Sequence, residues 1–348
     1  MSLLDSNRVI LGLSGGVDST AAALLLKEKG LEVIGVFLDM TGNSKSDLQL
    51  AEKAAKELEI PFVYKDASKE FSENVLTSFK EEYSLGRTPN PCVLCNPLVK
   101  FQLLLDVADE MDAAFIATGH YARTYFDEDL AVWFIRRGAN EAKDQSYTLY
   151  RLPQKAISRL IMPLGEITNK DDVRAMLSEK ELSNADLRDS QEICFVGKGD
   201  NYIDYLEASG IKAIEGDFID EEGNFLGKHK GVIHYTLGQK KGLGDSFGRP
   251  MYVQRINKGD NTITLSENEE DLFEFIVQSK DNIFNLDFEG LRVEAKVRYA
   301  AKPAPAFIRS IDGNKIEAIF DEPQRAPSPG QSIVFYLGDF VLGGGFIE

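Results

Sequence analysis

Cysteine is scarce: three residues in a chain of 348. That is too few for a disulfide framework, and the odd count argues against structural pairing, so a reducing, cytoplasmic setting is expected. No apolar run reaches the roughly 18–20 residues that span a bilayer, and no membrane partner is expected. The opening MSLLDSNRVILGLSGG has no basic n-region and no apolar run followed by a small-residue cleavage site, so a signal peptide is not expected. Positive charge is also in deficit, with 39 Lys and Arg against 56 Asp and Glu and a formal charge of −17. As an average, this repels nucleic acid phosphates.

The charges are unevenly spread, however. Residues 228–258 hold seven Lys or Arg and one acid, Asp245, a local +6. Residues 292–309 hold Arg292, Lys296, Arg298, Lys302 and Arg309 against Glu294, a local +4. A polyanion can dock on such stretches. Hydrophobic residues make up 43% and charged residues 27%, the mix of an ordinary globular protein, and the length implies two or three domains.

The first third alternates strand and helix patterns. RVILGL (8–13) reads as a buried strand, TAAALLLKEK (20–29) as a helix stopped by Gly30, and LEVIGVFL (31–38) as the next strand. A helix capped by Ser46 or Asp47 follows, then strand PFVYKD (61–66), a helix at FSENVLTSFKEEY, a helix over 97–112 with Pro97 in its first turn, and strand AAFIATGH (113–120). Such alternation predicts an α/β domain with an open parallel sheet, its ligands at the carboxyl ends of the strands. After about residue 205 short strands take over. YVQRINKGDNTITLS reads as a hairpin, and LRVEAKVRY (291–299) alternates strictly, which places Arg292, Glu294, Lys296 and Arg298 on one face. Four more strands at roughly ten-residue spacing predict a small closed β-barrel. The acidic run 267–271 reads as a solvated boundary. The expected division is 1–205, a small β-rich central domain over 206–275, and a barrel over 276–348.

Gly12-Leu13-Ser14-Gly15-Gly16-Val17-Asp18-Ser19 lies between the first strand and the first helix. Adjacent glycines allow a tight turn whose amides face an anion, Ser14 and Ser19 add hydroxyl donors, and the helix N-terminus adds its dipole. The loop lacks the Lys-Ser/Thr of a Walker A motif. SGGVDS resembles the signature of the PP-loop ATP pyrophosphatases, which split ATP between its α and β phosphates and adenylate an oxygen. Further segments widen the likeness: GRTPNPCVLCN (86–96), KF (100–101), ATGHYAR (117–123), KDQSYTLY (143–150), DSQEICFVG (189–197), HYTLGQKKGLG (234–244), VRY (297–299) and PGQSIVFYLGD…LGGGFI (329–347). In this order they resemble the bacterial tRNA-uridine 2-sulfurtransferase (2-thiouridylase) family over nearly the whole chain.

All three cysteines fall in those segments. Cys92 and Cys95 form a CxxC on a proline-held loop beside a helix N-terminus, a setting that favours thiolate. Cys194 lies about a hundred residues on. The resemblance implies that Cys194 carries a persulfide from a sulfur donor, that sulfur attacks C2 of an adenylated wobble uridine in tRNA, and that Cys95 is the partner thiol that can close a disulfide with it. Cys92 departs from the family pattern, where many members have Asp. Three thiolates can hold three irons of a [4Fe–4S] cluster and leave the fourth open to hydrosulfide. A metal-free redox trio, or zinc completed by His120, His229 or His234, remain alternatives.

The resemblance also assigns Leu38 and Gly119 to the ATP site, and Asn90, Pro91 and Cys92 to the segment receiving the extruded target base. It assigns His120, Lys143, Asp144, Gln145, Arg298, Tyr299 and Gln331 to tRNA contacts. From pattern alone His120 is equally a satisfied structural histidine, Leu38 a core residue, and Arg298 an exposed strand arginine. Mg²⁺ is expected to neutralise departing pyrophosphate, with Asp18 a candidate ligand. Two rivals are another PP-loop adenylating ligase, which leaves the cysteines and the basic barrel unexplained, and a non-enzymatic Fe–S or zinc RNA-binding protein, which has no use for the loop.

Overall fold

The computed structural model describes residues 7–42, 44–187, 193–196, 201–244, 247–286, 290–312 and 314–348. In chain order the elements are β1 (Arg8–Gly12), α1 (Val17–Glu28), β2 (Glu32–Asp39), α2 (Lys45–Glu57), β3 (Phe62–Asp66), α3 (Ser68–Phe71), α4 (Thr77–Ser84), α5 (Pro91–Cys95), α6 (Phe101–Glu110), β4 (Phe115–Ala117), β5 (Ala122–Asp127), β6 (Val132–Arg137), α7 (Gln154–Ile157), β7 (Leu160–Ile161) and α8 (Lys170–Glu179). There follow α9 (Tyr202–Ala208), β8 (Gly216–Ile219), β9 (Phe225–His229), β10 (Tyr252–Asn257), β11 (Thr262–Ser266), β12 (Phe273–Phe284), β13 (Arg292–Lys296), β14 (Ala304–Asp312), β15 (Lys315–Arg325), β16 (Ser332–Leu337) and β17 (Phe340–Ile347). Two compact units share them. One comprises Met1–Val75, Cys92–Gln191 and Asp339–Leu342; the other comprises Leu76–Pro91, Glu192–Gly338 and Gly343–Glu348.

The first unit is built on a sheet of order β3-β2-β1-β4-β7, parallel throughout. Its strands bury both faces, as the continuous apolar runs of β1 and β2 require. The alanine-rich α1 lies close to the sheet, burying Ala21, Ala22, Ala23, Leu24 and Leu26. From β1 the chain builds outward through β2 and β3 on one side, and β4 and β7 lie on the other. The crevice at the carboxyl ends of β1 and β4 is therefore the switch point where ligands of such sheets bind. Pro91–Glu110 forms one helical run, long and apolar enough to cross a membrane by length and composition, and Val99, Phe101 and Leu104 from it are core residues.

In the second unit, α4 and α9 share a core with β8, β10 and β11 through Phe79, Leu206, Phe218, Val253 and Ile263. A six-strand barrel of order β12-β15-β14-β13-β16-β17 closes through pairing of β12 with β17, which leaves it no free edge. The expected fold class, a parallel α/β sheet followed by β-rich parts and a barrel, is what the chain adopts.

Four local expectations are corrected. The thiol helix starts at Pro91 instead of Pro97. Proline suits a first helical position, and a π-helical turn over Asn96–Lys100 absorbs the second proline, whose missing N–H breaks the ordinary ladder. The helix after β2 starts at Lys45 with Ser44 before it, earlier than Ser46 or Asp47. The strict alternation over 291–299 stops at Lys296: β13 ends there, and a turn closed by Ala301 N–H on the Arg298 carbonyl follows. Lys296 is only 9% exposed and its Nζ lies over the Tyr299 ring, so it does not share an open face with Arg292. The hairpin β5–β6 and the short β7 went unread, because neither shows a clean period.

Candidate functional site

The loop after β1 is held open by its own side chains. Ser19 Oγ accepts the Ser14 amide at 3.2 Å, lies 3.1 Å from Ser14 Oγ and donates to the Gly16 carbonyl at 3.1 Å. Thr20 Oγ1 donates to that same carbonyl at 3.0 Å. Gly15 sits at φ +74°, and a Cβ there would stand 2.5 Å from the backbone of Leu50 and Ala51. Gly16 is the residue before α1, at an extended φ of −74°. The carbonyls thus turn inward at the N-terminus of α1, leaving the geometry of an anion cradle.

Asp18, in the first turn of α1, receives two partners. The Tyr121 hydroxyl donates to Oδ1 at 2.8 Å and Lys170 Nζ reaches Oδ2 at 3.0 Å. Gly119 packs against this turn so closely that a Cβ would lie 2.8 Å from the Asp18 carbonyl carbon. Leu38 stands half-buried near the end of β2, and its neighbour Asp39 is buried, accepting the amides of Thr41 and Gly42 and the hydroxyl of Tyr64. His120 lies 2.8 Å from Thr118 Oγ1 through Nδ1 and stacks on Phe101. Burial, helped by the Lys100 ammonium, holds its pKa well below the ordinary histidine value, so it is neutral at pH 7.

A hydrogen-bonded chain runs from this loop to the thiol helix. Gln145 and Tyr121 exchange two bonds, Gln145 Oε1 accepting the Tyr121 amide and the Gln145 amide donating to the Tyr121 carbonyl, each at 2.9 Å. Thr148 donates to the Gln145 carbonyl, and Asn96 Nδ2 donates to the Thr148 carbonyl at 2.9 Å. Asn96 follows Cys95, which is buried, whereas Cys92 one turn earlier is exposed. Asp144, called a tRNA contact, turns inward instead: its carboxylate accepts the amides of Gly138 and Ser146 and the Ser146 hydroxyl. Lys143 is the half-buried residue beside it.

In the second unit, Cys194 is exposed on a short turn closed by Val196 N–H on the Ile193 carbonyl. Phe195 anchors the turn by edge-on contacts with Phe79 and Tyr205. Parts of its segment, 188–192 and 197–200, lie outside the described residues. Gln331 Nε2 donates to the Thr88 carbonyl at 2.8 Å and the Thr88 amide donates to the Pro329 carbonyl at 2.9 Å, fixing the backbone two residues before Asn90 and Pro91. Arg298 donates to the Arg325 carbonyl, and Tyr299 is exposed. Lys240, Lys241 and Arg249 line a glycine-rich hollow of about 770 Å³. The linear charge count overstates the basic faces, because Lys228, Arg249, Arg292 and Arg309 pair with Asp217, Glu267, Asp321 and Glu317.

Among the described residues no three His, Cys, Asp or Glu side chains gather as a metal-ligand set. Cys92 and Cys95 belong to the first unit and Cys194 to the second. Mg²⁺ keeps waters and takes one or two carboxylates plus substrate phosphates; Asp18, on the rim of the loop, fits that demand.

Residues 7–198 match the family described as tRNA methyl transferase HUP domain, 203–267 its PRC-barrel domain, and 273–347 the aminomethyltransferase β-barrel domain. The tRNA-specific 2-thiouridylase MnmA of Acetivibrio thermocellus is 41% identical, the match covering 99% of this chain and all of that protein. This chain belongs to the tRNA-specific 2-thiouridylase family. Its Clostridioides difficile relative is 42% identical over 99% of this chain and 98% of that one, and MnmA 1 of Caldanaerobacter subterraneus subsp. tengcongensis is 44% identical over the same shares. Tyr121, Lys170, Asn184, Asn96 and Thr88, which sequence reading did not single out, make the bonds that hold these candidate segments. Tyr121 lies within ATGHYAR, and Thr88 and Asn96 within GRTPNPCVLCN, segments that carry the family resemblance; Lys170 and Asn184 carried no local signal, since their partners lie 152 and 169 residues away.

Proposed function

We propose that this chain is an ATP-dependent tRNA-uridine 2-sulfurtransferase. The observation that carries it is the unbroken hydrogen-bonded chain from the phosphate-cradling loop, through Asp18, Tyr121, Gln145 and Thr148, to the helix that bears Cys92 and Cys95. The loop and the Cys92–Cys95 helix thus belong to one hydrogen-bonded network within the first unit.

The C2 oxygen of the uridine attacks the α-phosphorus of ATP; the α–β bridge breaks and pyrophosphate leaves. The outer sulfur of the Cys194 persulfide then attacks C2, the C2–O bond breaks and AMP departs with the oxygen. The Cys95 thiolate attacks the Cys194 sulfur, the S–S bond breaks to leave sulfur on the uridine, and the Cys95–Cys194 disulfide so formed is reopened by a thiol reductant. The loop amides with Ser14 and Ser19 hold the phosphates, Gly119 admits the adenosine, and the backbone at Leu38 touches it. Mg²⁺, ligated by Asp18 together with the phosphates, would supply neutralising charge for the leaving group. Asn90, Pro91 and Cys92 receive the extruded base. His120, Lys143, Gln145, Arg298, Tyr299 and Gln331 serve the tRNA, Gln145 and Gln331 by positioning backbone. Cys194, exposed on its turn, accepts sulfur from a persulfide donor, whose own sulfur leaves as thiolate. A cytoplasmic location and the division at about residues 205 and 275 belong to the same reading. Methyl transfer, named in the family descriptions, has no use for a pyrophosphate loop or for three thiols.

The test uses unmodified tRNA, ATP, Mg²⁺ and a persulfide donor with anaerobically purified protein, metal-free or cluster-reconstituted, the nucleosides being read by mass spectrometry. Sulfur-for-oxygen exchange at uridine with AMP and pyrophosphate release is expected from metal-free enzyme. Thiolation by the reconstituted form alone would move sulfur from Cys194 onto iron. AMP formation without any need for tRNA would favour a small-molecule ligase, and tRNA binding without AMP a non-enzymatic role.

A further inference from the structure

Lys170 occupies a place that local rules disfavour. It is the first residue of α8, where the helix dipole favours anions, and Asp171 and Asp172 follow it in that turn. A cation there loses about 0.3–1 kcal/mol against the dipole, which a specific partner can offset. That partner is Asp18: Nζ stands 3.0 Å from Oδ2, with the lysine side chain 12% exposed and the aspartate 35%. The ammonium is thus the more desolvated member, and it also lies 5.8 Å from the centre of the Tyr121 ring, whose hydroxyl holds the other carboxylate oxygen. Asp18 meanwhile poses an electrostatic problem. It puts a carboxylate on the rim of a loop shaped for phosphates, in a chain whose formal charge is −17. Before Mg²⁺ arrives with the nucleotide, and unless a cation of the protein offsets it, that charge repels a triphosphate.

We propose that Lys170 is a positioning residue of the nucleotide site, the counter-charge that makes Asp18 compatible with ATP. It acts through Asp18: it fixes the carboxylate's rotamer together with Tyr121 and cancels its charge where the phosphates arrive. Breaking local propensity for a gain elsewhere is the pattern of a functional position. The inference rests on the ATP-site reading above and adds to it a residue 152 positions away.

Equilibrium binding of Mg·ATP is measured for the wild type, Lys170→Met, Lys170→Arg, Asp18→Asn and the double variant Asp18→Asn/Lys170→Met, with melting temperatures alongside. Lys170→Met is expected to raise the Kd for ATP at least tenfold and the KM for ATP with it, leaving the KM for tRNA within about twofold; Lys170→Arg restores most of the loss. In the Asp18→Asn background the methionine substitution is expected to change Kd by less than about twofold, since no charge is left to compensate. An unchanged Kd in Lys170→Met, or an equal loss with and without Asp18, overturns the proposal. Lys170→Gln, which keeps a polar group at the site, carries the same comparison if the methionine variant does not fold. Wild-type protein that binds no ATP would instead overturn the nucleotide-site reading itself.

Discussion

Asn184 donates from Nδ2 to the carbonyl of Gly15 at 3.0 Å, and the same amide also reaches Thr20 Oγ1. Asn184 is 4% exposed and is separated from the loop by 169 residues, so a distant segment locks the phosphate turn from behind. This bond ties the Gly15 carbonyl inward and favours that orientation of its peptide.

Replacing Asn184 by Leu keeps the volume and leaves a buried carbonyl without its donor. A buried unsatisfied polar group costs roughly 1–3 kcal/mol. Urea unfolding of Asn184→Leu should show a loss of that size, and ATP affinity should fall with it. Wild-type stability and affinity together would show that the loop holds its shape unaided.

The two loop glycines should respond differently to alanine. At Gly15 the backbone is left-handed and a Cβ would meet Leu50 and Ala51 backbone at 2.5 Å, a contact that nothing flexible can relieve. At Gly16 φ is extended and the nearest atom is Ser14 Oγ at 3.5 Å. Gly15→Ala is expected to lower stability by about 2 kcal/mol or more by strain and overpacking. Gly16→Ala should melt near the wild-type temperature, so that any loss of ATP binding reports on the phosphate contact. Equal melting temperatures for the two variants would contradict the geometry.

What the sequence made legible followed periodicity and punctuation. β1, α1 and β2 were readable because an apolar run, an alanine-rich helix and Gly30 mark them, and Gly30 does adopt φ +77° at the helix end. The glycine-rich loop over 12–19 was legible as a tight strand-to-helix turn because its pattern is local. Residues that act across the chain were not: Lys170 at the head of α8 looks like an ordinary solvated lysine until folding sets it against Asp18. Asp144 shows the converse error, since a polar turn residue was read as facing a ligand when it caps its own turn. Lys296, the last residue of β13, was misplaced because its side chain is buried with its ammonium over the Tyr299 ring, which alternation alone does not reveal.

The histidines make a prediction about acid. Burial lowers the pKa of His120, His229 and His234 below 6.5. In the window between each lowered native value and about 6.5, the unfolded chain binds protons that the folded chain does not, so stability rises with pH and is lost as pH falls through that window. Each unit of depression is worth about 1.4 kcal/mol once pH lies below both values. Unfolding free energies at pH 7.5 and 5.5 should therefore differ, and His120→Asn should show a smaller difference than wild type. An identical pH dependence for that variant would mean that His120 titrates normally.

The Gln331–Thr88 bond predicts a split between nucleotide and tRNA functions. Gln331 holds the carbonyl of Thr88 at 2.8 Å, the Thr88 amide is tied to Pro329, and a Cβ on the intervening Gly330 would meet the Thr88 carbonyl carbon at 3.2 Å. The PGQ turn thereby fixes the chain that leads into Asn90 and Pro91. Removing one such bond costs about 0.5–1.5 kcal/mol, a factor of roughly 2–13 in an equilibrium that depends on it. Gln331→Ala should accordingly lower kcat/KM for tRNA by about 3–10-fold and leave the Kd for ATP unchanged. Gln331→Glu should be worse than alanine, because it sets a carboxylate oxygen against the Thr88 carbonyl and repels the segment it should hold. If the glutamate variant matches wild type in tRNA thiolation, the turn does not position the base-receiving segment, and Gln331 acts on tRNA directly or not at all.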